Sequence, residues 1–539
     1  MVLASICPTG TMARSHLATC LALFYALSAC SPSHNAASHL SISTTSGQVN
    51  GFVNSTAPNV RQWLGVPYAE PPLGALRFAP PKAKTSSSRP LNTTAFAPSC
   101  MQQYSNSSTI YTESLPQFLI NGGQSEALLL DCLYLDVWAP EASAADWGKW
   151  PVFVYVPGGG FTSGGANSLY KIPDKWIQRT QSHIVISMKY VARATIIRYC
   201  KLTELNSYRV NVFGFPNARG LEDINAGLLD QRLVLEWTRD NIAAFGGDPN
   251  KIIFWGQSAG GASVSLYPYT YPDDPIISGI SADSGSPSIA GTSDYAQTNF
   301  TFLASLVGCG DLNATAEVDC VRQVPAAAIE NVLSLYQISG RSPSISFTNI
   351  ADNVTVFSNY TDRAAKGLVA KVPAIFGSNA NEGAGFVSYT PDGPGAATLY
   401  NITQSVIACP TGQEVKNREL AGLTTYRYRY SGVFNNTSPV PWFGAYHSSE
   451  LPLLFGTHGE YRGNSTPYEF EFSHFMEALW LSFAVDPVSE PSATLPNGTA
   501  FTWPAVTSES DVLIELARGA ELVSVQSGEI VDAHCSPPF

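Results

Sequence analysis

The sequence predicts an α/β fold with a central, largely parallel sheet flanked by helices, and three observations support this prediction. Residues 151–157, PVFVYVP, form a nearly continuous β-branched and aromatic run, as in a strand buried on both faces of a parallel sheet. Residues 183–190, HIVISMKY, indicate a second buried strand. A helical pattern over 227–251, ending at a glycine pair, then leads into the apolar run 252–255. This strand, helix, strand order is typical of a parallel sheet covered by helices.

Residues 1–29 have the pattern of a secretory signal peptide. A basic stretch at 12–14 precedes an apolar stretch at 17–27 that is too short to span a bilayer. The true start could then be Met12, with the residues before it an upstream mis-start. Cleavage before Cys30 would also fit a bacterial lipoprotein, so a lipid anchor on that cysteine stays an open alternative.

The composition favours a secreted, extracellular protein. With 30 basic and 42 acidic residues, the net charge of -12 disfavours nucleic acid or an anionic membrane surface as a partner. Beyond the signal, no segment is apolar for long enough to insert stably in a membrane. N-x-S/T sequons instead predict N-glycans and a eukaryotic secretory route. The sequons lie at Asn54, Asn92, Asn106, Asn299, Asn313, Asn353, Asn359, Asn401, Asn435, Asn436, Asn464 and Asn497.

The segment 40–90 is rich in turns and prolines. Because proline forbids a long helix there, we expect a coil that runs over the edge of the domain. The alternation of apolar residues within 128–140 predicts the next strand. Since the motifs of the chain interleave, residues 30–539 are predicted to form a single domain with long loop insertions.

A candidate nucleophile lies at 256–260, where Gly-Gln-Ser-Ala-Gly fits the pattern G-x-S-x-G between a strand and a helix. Glycine on both sides of Ser258 lets the strand and helix pass closely around a sharp turn. Such a turn exposes the serine hydroxyl to a base. Glycines 158–160 follow another predicted strand and could direct backbone N–H groups at an oxyanion, although a plain flexible loop is the alternative.

Two further residues complete a serine-hydrolase order. Glu382 follows an apolar strand end in a polar turn, and His447 lies in the loop that also carries Glu450. Either residue alone is more often structural. The order Ser258, Glu382, His447, however, is the nucleophile, acid, histidine order of α/β-hydrolases. Glu450 is open to two interpretations, as a support of His447 or as a surface residue.

From about residue 43 to 535 the sequence resembles the type-B carboxylesterase/lipase family of α/β-hydrolases, and most closely its secreted fungal members. The stretches that carry the resemblance are GVPYAEPPLGALRF, DCLYLDVWAP, PGGGF, YRVNVFGF, GLLDQRLVLEW, NIAAFGGDP, GQSAGGAS, NEG and GAYHSSELPLLFGT. The resemblance implies that Ser258 is the nucleophile, His447 the general base and Glu382 the acid that orients it. It also implies that Gly159, Gly160 and Ala259 form the oxyanion hole. Two disulfides are implied as well, Cys100–Cys132 and Cys309–Cys320.

The sequence departs from the family pattern at Gln257, where many members have glutamate before the nucleophile. The expected function is that of a secreted serine carboxylic-ester hydrolase that forms an acyl-enzyme on Ser258 and acts on a small-molecule or lipid ester. We expect no cofactor and no metal, since no His/Cys spacing suggests one. The alternatives are an interfacially active lipase and a non-catalytic adhesion or receptor ectodomain on the same fold.

The segment that separates esterase from lipase is 101–131. Its stretches SLPQFL and ALLL could form the apolar face of a lid, but asparagine, serine and a glycine pair interrupt any long amphipathic helix. The sequence therefore favours an esterase.

Residues 191–207, VARATIIRYCKLTELNS, are predicted to be a translated retained intron. Family members run directly from a strand like VISMKY into a motif like YRVNVFGF. Removing the 17 residues restores that continuity and keeps the reading frame; a genuine surface loop is the alternative. The insert also supplies Cys200, which leaves Cys409 and Cys535 as an expected third disulfide, or else as two buried thiols.

Overall fold

The computed structural model describes residues 39–97, 100–102, 107–119, 123, 129–141, 148–165, 167–188, 208–289, 291 and 293–535. The predicted signal peptide and the predicted insertion at 191–207, with Cys200, lie outside these residues. His39–Phe539 belong to one structural unit.

Strands and helices alternate through most of the described chain. In chain order the strands are β1 (Ser41–Thr44), β2 (Gly47–Asn50), β3 (Phe52–Asn54), β4 (Ala57–Pro67), β5 (Ser87–Asn92), β6 (Tyr134–Pro140), β7 (Trp150–Val156), β8 (Ile184–Met188), β9 (Gly247–Gln257), β10 (Gly279–Asp283), β11 (Ala374–Asn379), β12 (Thr425–Tyr430), β13 (Ser492–Thr494), β14 (Ala500–Thr502), β15 (Val512–Arg518) and β16 (Glu521–Ser527). The helices are α1 (Ile110–Glu113), α2 (Asp174–Thr180), α3 (Asn211–Gly214), α4 (Ala226–Asn241), α5 (Ala259–Thr270), α6 (Thr298–Leu306), α7 (Ala314–Gln323), α8 (Ala326–Ile338), α9 (Tyr360–Ala365), α10 (Ala396–Ile402), α11 (Cys409–Leu420), α12 (Leu451–Leu454), α13 (Pro467–Val485) and α14 (Glu529–Asp532).

The central sheet has the order β16-β15-β12-β11-β10-β9-β7-β8-β6-β4-β3. The strands from β15 to β8 in this order pair in parallel, whereas β16 at one edge and β6, β4 and β3 at the other pair antiparallel. The predicted fold, a largely parallel sheet flanked by helices, is confirmed. Parallel strands bring their carboxyl ends to one edge, where ligand sites of such sheets lie.

Strand β7 shows why the centre of the sheet is apolar throughout. Val152 and Val154 pack into the core on one face of the sheet with residues of α4 and α5, whereas Phe153 and Tyr155 pack on the other face with α13. Every residue of β7 is buried. Both faces are covered, so the sequence lacks the apolar and polar alternation of a half-exposed strand.

Two expectations from the sequence need correction. The coil expected over 40–90 is wrong for its first part, because β4 at Ala57–Pro67 pairs with β6 inside the main sheet. Most of the prolines follow this strand, so they do not interrupt its ladder. The helical pattern predicted to end at the glycine pair 246–247 needs a smaller correction, because α4 ends at Asn241 and a 3₁₀ turn at Ile242–Phe245 covers the residues up to Gly246. The residues from Gly247 onward belong to β9.

The buried face of α4 is not apolar throughout. Leu229 and Leu233 are half-buried, whereas Asp230 is completely buried. The carboxylate of Asp230 accepts two hydrogen bonds from the Arg209 guanidinium, at 2.7 and 2.9 Å. A paired and hydrogen-bonded charge can be buried where an unpaired one cannot. This pair fixes the chain that resumes at Tyr208 against α4.

Candidate active site

Ser258 lies at the tip of β9, on a sharp turn into α5. Its backbone has φ 60° and ψ -126°, a strained conformation for a residue with a side chain. A Cβ on Gly256 would lie 2.5 Å from the Gly260 carbonyl, and one on Gly260 would lie 2.0 Å from the Val156 oxygen. Glycine is therefore required at both positions, as the G-x-S-x-G pattern indicated. The turn leaves the Ser258 side chain partly exposed at the carboxyl edge of the sheet.

The glycine run 158–160 follows β7 directly beside this turn. A Cβ on Gly158 would lie only 2.7 Å from the Cβ of Ser258. Gly159 and Gly160 have φ angles of 131° and 63°, which favour glycine. In the described part of the chain, the backbone N–H groups of Gly159, Gly160 and Ala259 donate no hydrogen bond. These donors are therefore available to an incoming group.

The acid and the histidine meet at the same edge of the sheet. Glu382 follows β11, and its Oε2 lies 2.5 Å from Nδ1 of His447. Its other oxygen, Oε1, accepts hydrogen bonds of 2.6 Å from the Ser284 hydroxyl and from the backbone N–H of Asn379. Glu382 is completely buried. A carboxylate held at both oxygens keeps a fixed orientation toward the imidazole.

Backbone pairing joins the loops that carry these two residues. Asn381 donates its N–H to the carbonyl of Ala445 at 2.9 Å, and the Asn381 side chain donates to the carbonyls of Trp442 and Phe443. The His447 loop is thus fixed to the residue next to Glu382. Residues that are 65 positions apart in the chain reach hydrogen-bond distance by this means.

The Gln257 side chain contacts the second ring nitrogen of His447, Nε2. Its Nε2 lies 3.1 Å from Nε2 of His447, whereas the Ser258 hydroxyl makes no hydrogen bond among the described residues. An amide N–H that donates to Nε2 requires that nitrogen to be unprotonated, so the proton of a neutral imidazole is on Nδ1, toward Glu382. Serine and histidine hydrogen bonds are often loose before substrate binds. The glutamine that distinguishes this sequence therefore contacts the histidine directly.

A second buried carboxyl, Glu450, lies near the histidine and is not a surface residue. Asn379 donates one amide hydrogen bond to Glu450 and another, of 2.7 Å, to the Tyr446 carbonyl. Burial and the neighbouring carboxyls of Asp283 and Glu382 raise the pKa of Glu450 well above its ordinary value. This shift favours the protonated, uncharged form of the Glu450 carboxyl beside Glu382.

The sequence reasoning missed Ser284 and Asn379. Both end or follow strands at the carboxyl edge, Ser284 after β10 and Asn379 as the last residue of β11. Their positions at strand ends are a signal that could have indicated them, because polar residues at the carboxyl edge of a parallel sheet often line its ligand site. Asp283, beside Ser284, accepts hydrogen bonds from Trp255 and Tyr428, and burial raises its pKa to about 6. Its carboxyl supports the sheet below the site.

The six expected half-cystines form three disulfides in the structure. Cys100–Cys132 closes the loop that contains α1, Cys309–Cys320 links the chain before α7 to that helix, and Cys409–Cys535 ties the C-terminal residues to α11. A disulfide that closes a long loop stabilises the fold mainly by restricting the unfolded chain.

The amino-acid sequence matches a known protein family. The sequence model of the Carboxylesterase family matches residues 38–194, 205–401 and 395–528. The first two matches are separated by residues 195–204, which lie within the predicted insertion. The described residues contain no helix that is both long and apolar enough to span a membrane.

Three curated proteins illustrate the likeness. Chlorogenic acid esterase of Aspergillus niger is 53% identical over 506 residues, covering 92% of this chain and 94% of that protein. Secreted lipase 5 of Gibberella zeae is 38% identical over 537 residues, with 92% and 94% covered. Acetylcholinesterase of Bungarus fasciatus is 27% identical over 537 residues, with 89% and 83% covered. The chain therefore belongs to the carboxylesterase family and is a carboxylic-ester hydrolase.

Proposed function

We propose that this enzyme cleaves carboxylic esters through an acyl-enzyme on Ser258, with His447 as the general base and Glu382 as its orienting acid. The observation that carries the proposal is the buried pair of Glu382 and His447, 2.5 Å apart, beside the strained serine turn. A serine hydroxyl becomes an effective nucleophile only when a base takes its proton. A carboxylate on Nδ1 fixes the required tautomer and stabilises the imidazolium.

In the first half of the reaction, the Ser258 oxygen attacks the ester carbonyl and its proton passes to Nε2 of His447. The amide of Gln257 must release this nitrogen before it can accept the proton. The tetrahedral intermediate then collapses, and the same proton goes to the departing alcohol. In the second half, His447 takes a proton from water as the water attacks the acyl-enzyme. When this intermediate collapses, the proton returns to the Ser258 oxygen and the acid is released.

The negative charge of each tetrahedral intermediate falls within reach of the N–H groups of Gly159, Gly160 and Ala259. Their availability in the described structure supports this assignment. Removal of one donor from such a hole typically slows an acyl transfer about 100- to 1000-fold. A Cβ on Gly159 would overlap the Ser163 oxygen, so Gly159→Ala is expected to displace the loop as well.

The decisive variant for the nucleophile is Ser258→Ala. We expect a loss of several orders of magnitude in kcat on p-nitrophenyl acetate, with an unchanged melting temperature. Retention of more than about a hundredth of the wild-type rate in folded S258A would show that another group is the nucleophile.

We propose a soluble phenolic-acid ester such as chlorogenic acid as the substrate. The support is the 53% identity with an esterase named for that compound. Release of the phenolic acid by purified wild-type enzyme, followed by chromatography, tests this proposal, and S258A is the control. Turnover of p-nitrophenyl acetate without turnover of chlorogenic acid would overturn the substrate and leave the ester hydrolase assignment intact.

A lipase is the second candidate, because Secreted lipase 5 is 38% identical over nearly the same length. The discriminating assay compares tributyrin with p-nitrophenyl acetate below and above the solubility limit of the lipid. An increase in rate only above that limit identifies a lipase.

We further propose that the enzyme is secreted and N-glycosylated, with residues 1–29 removed. The support comes from the signal-like N-terminus, the three disulfides and the sequons. N-terminal sequencing of the protein from a culture medium tests the proposal. A mature protein that begins at Met1 and stays in the cell would contradict it.

A further inference from the structure

The segment 107–119 lies inside the Cys100–Cys132 loop, where the sequence left a lid open as an alternative. It contains helix α1, whose N-terminus has a reciprocal capping box between Thr109 and Thr112, and a 3₁₀ turn at Pro116–Phe118. The apolar side chains of Ile110, Leu115 and Phe118 are buried. A lid that opens at a lipid surface would have to expose this apolar face.

Several hydrogen bonds fix the segment to the parts of the chain that surround the catalytic residues. The backbone N–H of Tyr389 donates to the Ser108 carbonyl at 2.9 Å, close to the turn that carries Glu382. The Ser168 hydroxyl, in the connection between β7 and α2, donates to the Phe118 carbonyl at 2.8 Å. The Arg462 guanidinium donates to the carbonyl of Ser114. These contacts begin and end on different loops, so the segment cannot move without breaking several of them.

The contact that reaches the catalytic histidine comes from Tyr111. Its hydroxyl donates a hydrogen bond of 2.6 Å to the backbone carbonyl of His447. Burial raises the pKa of this phenol, so the hydroxyl keeps the proton that it donates. A Cβ on Gly385 would lie 2.6 Å from the Cβ of His447 and 2.7 Å from the Tyr111 oxygen. Only glycine at 385 therefore allows the tyrosine, the histidine and the turn after Glu382 to meet.

Among the described residues, four side chains fix the position of the imidazole or of its backbone. Glu382 holds Nδ1, Gln257 contacts Nε2, and the Phe386 ring lies against the imidazole with 4.6 Å between centroids. Tyr111 holds the backbone from which the side chain projects. An error of about 1 Å in a catalytic group can cost 100-fold in rate, so a contact that fixes this backbone affects the chemical step.

We propose that Tyr111 is a positioning residue for His447, and that segment 107–119 is thereby a fixed wall of the active site rather than a lid. The proposal rests on the assignment of His447 as the general base. Because opening the segment would withdraw the Tyr111 hydroxyl from the histidine loop, the active arrangement and an open lid exclude each other. The enzyme is thus active on dissolved esters without a lipid surface.

Tyr111→Phe tests the positioning role, since it removes only the hydroxyl. Tyr170→Phe is a matched control, because Tyr170 is buried in the same aromatic cluster, 4.9 Å from the Phe118 ring, and its hydroxyl has no hydrogen-bond partner among the described residues. We expect Y111F to lower kcat for p-nitrophenyl acetate roughly tenfold, the equivalent of one net hydrogen bond, with KM within about twofold. Y170F should keep the wild-type kcat.

A kcat of Y111F equal to that of the wild type, or an equal loss in Y111F and Y170F, would overturn the positioning role. Melting temperatures of both variants separate this effect from a loss of folded protein. Should Y111F fail to fold, the assay of the unmodified enzyme with tributyrin still decides. A fixed wall predicts a smooth saturation curve across the solubility limit of tributyrin, and an abrupt increase in rate there would overturn the proposal.

These outcomes are separable from those that concern the proposed function. If the wild type cleaves p-nitrophenyl acetate and S258A does not, the serine mechanism stands whatever Y111F does. If S258A remains active, the serine mechanism fails before the role of Tyr111 is in question.

Discussion

Replacing Gln257 by glutamate places a carboxyl group on the nitrogen of His447 that accepts the serine proton. The two groups are 3.1 Å apart in the structure, and Gln257 and His447 are both buried. A carboxylate in this position stabilises the imidazolium form, which cannot act as a base. We therefore expect Gln257→Glu to move the acidic limb of the pH profile of kcat/KM to higher pH.

The magnitude follows from the distance. At an effective dielectric constant of about 20, two opposite charges 3.1 Å apart attract by about 5 kcal/mol. Desolvation of the new carboxylate, beside the buried Glu382 and Glu450, offsets a large part of this attraction. The net stabilisation of the imidazolium is then about 1.4 to 2.8 kcal/mol, which lies in the range for a close charge pair. It corresponds to a shift of the acidic limb by about one to two pH units.

The assay is the hydrolysis of p-nitrophenyl acetate from acidic to alkaline pH, followed at the isosbestic wavelength of the phenol and phenolate. Gln257→Met is the matched control, because methionine has a similar length and carries neither charge nor amide. Its acidic limb should move to higher pH by less than that of Q257E, because methionine removes the amide hydrogen bond that favours the neutral imidazole but adds no charge. If the limb of folded, active Q257E coincides with that of the wild type, the contact between residue 257 and the histidine does not exist in solution.

Three further predictions concern stability and covalent structure. Burial raises the pKa of Glu414 to about 7 from 4.5. Between pH 4.5 and about 7 the folded protein therefore binds one more proton than the unfolded chain, and it loses up to about 3 kcal/mol of stability as the pH rises through this range. The melting temperature of Glu414→Gln should therefore change less between pH 5 and pH 8 than that of the wild type. Glu419→Gln, at an exposed position on the same helix, is the control and should behave as the wild type does. An equal pH dependence in all three proteins would contradict this prediction. Glycopeptide mapping should find glycan on the exposed Asn435 and none on Asn436, which is 7% exposed and donates to the His458 carbonyl and the Ser465 hydroxyl. Sequencing of cDNA should find transcripts that lack the codons for 191–207, whereas uniform retention together with an active enzyme would refute the intron.

The sheet could be predicted from the sequence because buried parallel strands leave a strong signal. In β7 and β8 both faces are covered, so the apolar runs are nearly continuous. The strand β4 could not be recognised, since its sequence APNVRQWLGVP mixes polar residues, a glycine and prolines. The buried Arg61 of this strand donates to the carbonyls of Pro140 and Phe245, partners that no local pattern reveals.

The candidate triad could also be read from the sequence, because each member stands in a motif with its own local signal and the three occur in a known order. The supporting contacts could not. Tyr111 and His447 are 336 residues apart, and nothing near Tyr111 indicates a hydrogen bond to the histidine loop. Glu450 was open to interpretation for the same reason, since a carboxylate directly after a serine pair is polar in sequence and becomes buried only through its tertiary neighbours.

Covalent labelling of the nucleophile tests the central claim most directly. Purified enzyme is treated with diisopropyl fluorophosphate, the residual activity on p-nitrophenyl acetate is measured, and the labelled residue is located by peptide mass spectrometry. We predict one label per chain, on Ser258, with activity lost in proportion to the fraction labelled, and no label on S258A. A label on another residue that abolishes activity, or full labelling of Ser258 with activity intact, would contradict the account.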